Sequence, residues 1–143
     1  MNKLTVSSCE LCDSAGGEAL WQDELCRVVP VEDGDYPGFC RVILNRHMKE
    51  MTDLDMATRQ RLMQVVFAVE QALRKLMQPA KINLASLGNM TAHLHWHVIP
   101  RFADDKHFPG SVWSEVRRPG VPRSPDRDAL QSILRNELKA VAQ

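Results

Sequence analysis

One long run of helical period, set between shorter apolar runs, constrains this chain more than any other feature of it. From Asp55 to Met77 the residues Met56, Leu62, Met63, Val66, Phe67, Val69, Ala72, Leu73 and Leu76 recur at spacings of three and four, the period of an amphipathic helix. Thr52 offers an N-cap ahead of it and Pro79 closes it. On the N-terminal side, Glu18 to Glu32 (EALWQDELCRVVPVE) holds two short apolar runs split by Gln22, Asp23 and Glu24, a strand pair with a tight polar turn. Asp33 to Gly38 (DGDYPG) is a concentrated turn signal, and Phe39 to Asn45 supplies a third strand. On the C-terminal side, Lys81 to Leu87 reads as a fourth strand, Gly88 to Thr91 as a polar loop and His93 to Arg101 as a fifth strand. Ser124-Pro125-Asp126 then opens a second helix that reaches Val141. This order predicts an α+β fold: an about five-stranded, mainly antiparallel sheet with one long central helix and a C-terminal helix, not a parallel doubly wound layout.

Composition narrows the function classes. With 143 residues the chain suits one domain spanning 1–143, with an N-terminal arm over 1–17 and a C-terminal loop and helix over 102–143. Lys plus Arg (18) balances Asp plus Glu (18), so no overall field draws the chain to nucleic acid or to a membrane, and a small-molecule ligand is expected. The start, MNKLTVSSCELCDSAGG, has no apolar leader core, and no stretch approaches the ~20 apolar residues of a membrane span, so the expected location is cytoplasmic. There the four cysteines would stay reduced: Cys9-x-x-Cys12 suggests metal or redox chemistry, while Cys26 and Cys40, in strand-like runs, read as buried residues.

The fifth strand carries three of the five histidines at alternate positions in HLHWHVIPR. Alternation places His93, His95 and His97 on one face and Leu94, Trp96 and Val98 on the other, one face for chemistry and one for the core. Neighbouring Cα atoms in the row lie roughly 6.6 Å apart, close enough for the imidazoles to act on one small group but too far for them to satisfy one another. Two chemistries suit such a row. One is a metal held by His-x-His; the other is attack on phosphorus by a neutral imidazole, with neighbouring donors neutralising the phosphate oxygens.

The stretch LGNMTAHLHWHVIPRF resembles the histidine triad (HIT) family, whose hallmark is His-φ-His-φ-His-φ-φ with φ apolar; here it reads His93-Leu94-His95-Trp96-His97-Val98-Ile99. RVILNRHMKEMTDL (Arg41 to Leu54) is similar to the family's second block, and the early CELC is similar to the Cys-x-x-Cys of many members, so the resemblance runs in order from Cys9 to Arg101.

That resemblance implies a nucleotide hydrolase or nucleotidyl transferase that acts at an α-phosphorus, with a purine nucleoside phosphoramidate or dinucleoside polyphosphate as substrate. His95 would attack phosphorus and form a nucleotidyl-histidine, His97 would hold phosphate oxygens or help the leaving group, and His93 would orient His95. Asn89 stands where the family often has a phosphate-contacting Gln, and Asn83 near a position that faces the nucleotide. Of Glu32, Asp33 and Asp35, Asp33 is taken as the acidic residue for the ribose. Met90 replaces the Ser of phosphoramidase-like members, with Thr91 as a substitute hydroxyl, and Gly88 with Asn89 offers backbone N–H groups to a phosphate. Arg117, Arg118 and Arg123 are either reach for distant phosphates or a solvated connection. Catalysis needs no cofactor in this family, but some members hold a structural zinc, for which Cys9, Cys12, His47 and His93 stand in the right order. A homodimer with joined sheets is also implied. Two other readings remain open: a non-catalytic nucleotide-binding module, and a metallohydrolase with its metal on His93, His95 and His97.

Overall fold

The computed structural model describes residues 9–141. Strands β1 (Trp21–Gln22), β2 (Cys26–Pro30), β3 (Cys40–Leu44), β4 (Lys81–Ala85) and β5 (His95–Arg101) form an antiparallel sheet in the order β1-β2-β3-β5-β4. The helices are α1 (Glu10–Asp13), α2 (Met56–Met77) and α3 (Arg127–Val141), so the α+β architecture is as expected. Alternation along the strands turns Val28, Val42, Leu44, Ile82 and Val98 into one core with Leu62, Val65, Val66, Val69 and Leu73 of α2 and Leu130, Leu134 and Leu138 of α3. Cys26 and Cys40 are fully buried in this layer, and burial pushes both thiols up to about 12.

The other face carries Arg27, Val29, Arg41, Ile43, His95, His97, Ile99 and Arg101, as their strand registers require. It is flanked by two coverings. At one side the N-terminal arm lays Leu11 on Val29 and Ile43. At the other, Val112 of the long loop between β5 and α3 packs on a cluster of Tyr36, Phe39 and Ile99.

Element ends depart from the sequence reading for local reasons. Helix α2 is capped by Asp55, whose carboxylate accepts from Thr58 N–H at 2.8 Å; Thr52 lies instead in a 3-10 turn over Met51–Asp53. Left-handed Gln78 (φ 50°) ends the helix one residue before Pro79. Strand β4 stops at Ala85, two residues short of the exposed Leu87. Strand β5 opens at His95 rather than His93, because Leu94 is tied to the β3 end and its following loop, donating to Met48 O (2.8 Å) and accepting from Leu44 N–H (3.1 Å). Helix α3 starts at Arg127, and the Asp126 carboxylate accepts from the N–H groups of Asp128 and Ala129.

Candidate functional site

His95 and His97 project from β5, an interior strand of the sheet paired to β3 on one side and to edge strand β4 on the other. His95 is 7% exposed, and its Nδ1–H donates to the His93 carbonyl at 2.6 Å. That bond assigns the tautomer: the Nε2 lone pair is free, and no described residue pairs with it. His97 stacks on Phe39 (ring centroids 5.6 Å apart), meets Trp113 edge-on at 5.1 Å and lies T-shaped to His95 at 5.0 Å. Burial, then the neighbouring His95 and Arg41, push it down to about 4, so it is neutral near pH 7. Its Nδ1 is buried without a partner among the described residues. A cleft of about 300 Å³, lined in part by Lys49, Thr52, Ser86, Gly88, His93 and His95, opens beside the start of β5.

His93 does different work. Fully buried, it donates from Nε2 to Leu44 O at 2.5 Å and turns its Nδ1 lone pair to Cys9 Sγ (3.3 Å) and Cys12 Sγ (3.4 Å). His47 Nδ1 lies 3.4 Å from Cys12 Sγ, and the four ligand atoms all fall within 4.8 Å of one another. Bonds of ~2.3 Å to sulfur and ~2.0–2.1 Å to nitrogen at tetrahedral angles give ligand separations of about 3.3–3.8 Å, so this donor set fits Zn²⁺. The Leu44 carbonyl behind His93 is the usual outer partner that fixes a ligating imidazole. Arg27 holds the arm that brings the cysteines in: its guanidinium donates to Leu11 O (2.7 Å), Ala15 O (2.9 Å) and Ser14 O (3.2 Å). With both nitrogens of His93 directed away from the row, the three histidines do not converge on one metal.

A family model described as the HIT domain matches residues 15–104. The chain belongs to the HIT domain family. Solved HIT structures agree: a histidine triad protein from Bradyrhizobium japonicum shares 28% identity over 86% of this chain and 91% of its own, with a TM-score of 0.69. One from Marinobacter aquaeolei shares 29% over 88% and 91%, with a TM-score of 0.68. A zinc-bound histidine triad family protein from Mycobacterium smegmatis has the same fold at 23% identity, covering 94% of this chain and 96% of that one with a TM-score of 0.59. No curated protein sequence gives a match.

Within this HIT domain the residues expected to bind nucleotide are spread out. Asn83 lies on the histidine face of β4, with Oδ1 accepting from Arg101 Nη1 at 2.7 Å. Asn89 is exposed in the loop between β4 and β5, beside left-handed Gly88 (φ 76°). Met90 in the same loop is wholly exposed and Thr91 half-buried. Asp33 is exposed beyond the end of β2, and its carboxylate accepts from Asp35 N–H at 2.9 Å, closing the turn. Arg118 and Arg123 serve the C-terminal loop: Arg118 donates to Asp105 O and Phe108 O, and Arg123 pairs with Asp104 and lies over Phe102.

A buried polar network is what reasoning from the sequence missed. Arg101 grips Asp105 with two bonds (2.8 and 3.0 Å), both side chains only 3% exposed. Tyr36 donates to Asp105 Oδ1 at 3.2 Å and lies 2.5 Å from His107 Nδ1. Burial opposes ionisation of Asp105, yet the Arg101 guanidinium and the N–H groups of Phe102 and His107 hold its carboxyl below the usual range. The network anchors the loop that sets Trp113 against His97. Its signal in sequence was an acid, a His and a Pro-Gly within DDKHFPG, which alone specify no partner.

Proposed function

We propose that this HIT domain protein is a hydrolase that cleaves at the α-phosphorus of a purine nucleoside phosphoramidate or dinucleoside polyphosphate through a nucleotidyl-histidine on His95. The observation that carries this reading is the His95 Nδ1–H bond to His93 O, which directs a proton-free Nε2 outward as a nucleophile. Nε2 forms a bond to phosphorus as the bond to the leaving group breaks, and the positive ring that results is stabilised by the same carbonyl. Water then displaces the imidazole and releases the nucleoside monophosphate. Neutral His97, beside His95, supplies a phosphate oxygen with an N–H donor. A phosphate leaves as an anion, whereas an amine must gain a proton; with Met90 in the loop, polyphosphate substrates are favoured over phosphoramidates. Asn89, Asn83 and Asp33 are the candidate contacts to phosphate, nucleotide and ribose.

In the same reading Cys9, Cys12, His47 and His93 hold a structural Zn²⁺, which the zinc-bound relative of like fold supports. The ion, when bound, crosslinks the arm to the sheet and fixes His93, whose carbonyl orients His95. We further propose a homodimer joined through β4, the longer of the two edge strands.

The test is AMP release from diadenosine polyphosphates and from adenosine phosphoramidate. Wild-type protein should turn over, and His95→Ala should lose about 10⁴-fold or more. Tight AMP binding without turnover in either protein would replace the hydrolase with a nucleotide-binding module.

A further inference from the structure

We propose that Arg41 is the phosphate-binding cation of the histidine face, a role resting on the hydrolase reading above. Arg41 stands on β3 directly opposite His97, and Ile43 stands opposite His95, so Arg41 is the diagonal neighbour of the nucleophile. Diagonal positions lie about 7–8 Å apart, a gap that a phosphate group bridges when one partner is as long as arginine.

The guanidinium is underused. Of its five N–H donors one is engaged, Nη2 to Gly16 O at 3.2 Å, and Nε is buried with no partner among the described residues. The other orphaned buried side-chain atom among those residues is Nδ1 of His97, across the strand pair. Buried polar atoms are nearly always paired, so two orphans on facing residues mark a place where a ligand supplies the partner. No described carboxylate forms an ion pair with Arg41, whereas Arg101, on the same face, is matched by Asp105. Arg27, also on that face, directs its fork to carbonyls of the arm and to Asn45.

The arm's geometry keeps the fork in place. Gly16 is left-handed (φ 81°), a conformation that strains other residues, and a Cβ there would crowd Arg41 Nη2 at 3.2 Å and Ile43 at 3.1 Å, so glycine favours the close approach of the arm's backbone to the guanidinium. The remaining edge is a planar pair of donors suited to two oxygens of one phosphate. With His97 neutral, Arg41 brings the positive charge that offsets charge building on the oxygens as His95 attacks.

The test is ligand titration of the full chain followed by NMR of the Arg41 Nε–H resonance, with AMP, inorganic phosphate and adenosine as probes. AMP and phosphate should move that resonance and adenosine should not. Arg41→Gln should weaken AMP binding by about 10- to 100-fold and leave adenosine binding unchanged, and Arg41→Lys, which keeps stem and charge, should fall between. If AMP binds equally to wild type and both variants with the Nε–H resonance unmoved, the Arg41 assignment falls and the hydrolase reading stands. If wild-type protein binds neither AMP nor phosphate, both fall.

Discussion

His97 is the residue where environment and chemistry are most tightly linked. An imidazole in the unfolded chain titrates near ~6.5, whereas burial, His95 and Arg41 push folded His97 down to about 4. Between those values the unfolded chain takes up a proton that the folded chain refuses, so stability is full above the unfolded value and falls as pH drops toward the folded one. Urea midpoints should therefore fall between about pH 7 and about pH 5, and fall less in His97→Gln; equal losses in both proteins would remove His97 as the cause. The Arg101–Asp105 pair is a second residue-scale test. Removing one partner strands the other charge in a site where both are 3% exposed, so Asp105→Ala should cost about 3–5 kcal/mol in urea unfolding. A loss under about 1 kcal/mol, the range of a surface pair, would show that the charge finds water. Neither effect was visible in the sequence, because the partners of Asp105 come from β5, the loop after β2 and the segment that follows it.

The elements themselves were largely legible. The helical period over 55–77 and the alternation around the histidines reflect which face is buried, and burial is a property of each element by itself. What escaped was set between elements: β5 loses His93 because Leu94 is tied to Leu44 and Met48, and Asn83 meets Arg101 across the β4–β5 pair. The N-terminal arm is the element with the most at stake. Its short helix α1 is held by Leu11 and Arg27, and in the proposed function a zinc ion completes the attachment. Metal removal by a chelator should lower the melting temperature by several degrees, and Cys12→Ser should melt at the lower value with or without chelator. Identical melting of treated and untreated protein, with no zinc found by elemental analysis, would assign the cysteines a purely packing role.

At the scale of the whole molecule, the sheet divides labour: one face builds the core with α2 and α3, and the other presents histidines between two coverings, the arm and the C-terminal loop. The nucleophile candidate and the four metal-ligand candidates came from the resemblance to the HIT family, which short motifs carry. The sequence did not reveal Arg41, whose meaning comes from standing opposite His97 on a strand distant in sequence. The open β4 edge is the other whole-molecule feature: sedimentation should give twice the 16.2 kDa chain mass, and a species of 16.2 kDa would remove the proposed dimer. The central claim is that His95 is transiently bonded to phosphorus. Intact-protein mass spectrometry after brief mixing with a diadenosine polyphosphate tests it most directly. The expected result is an acid-labile gain of one adenylyl group per chain, absent from His95→Ala and retained after chelation. Steady AMP release by His95→Ala, or turnover that stops when metal is removed and returns when it is restored with no adduct at any time, would contradict it.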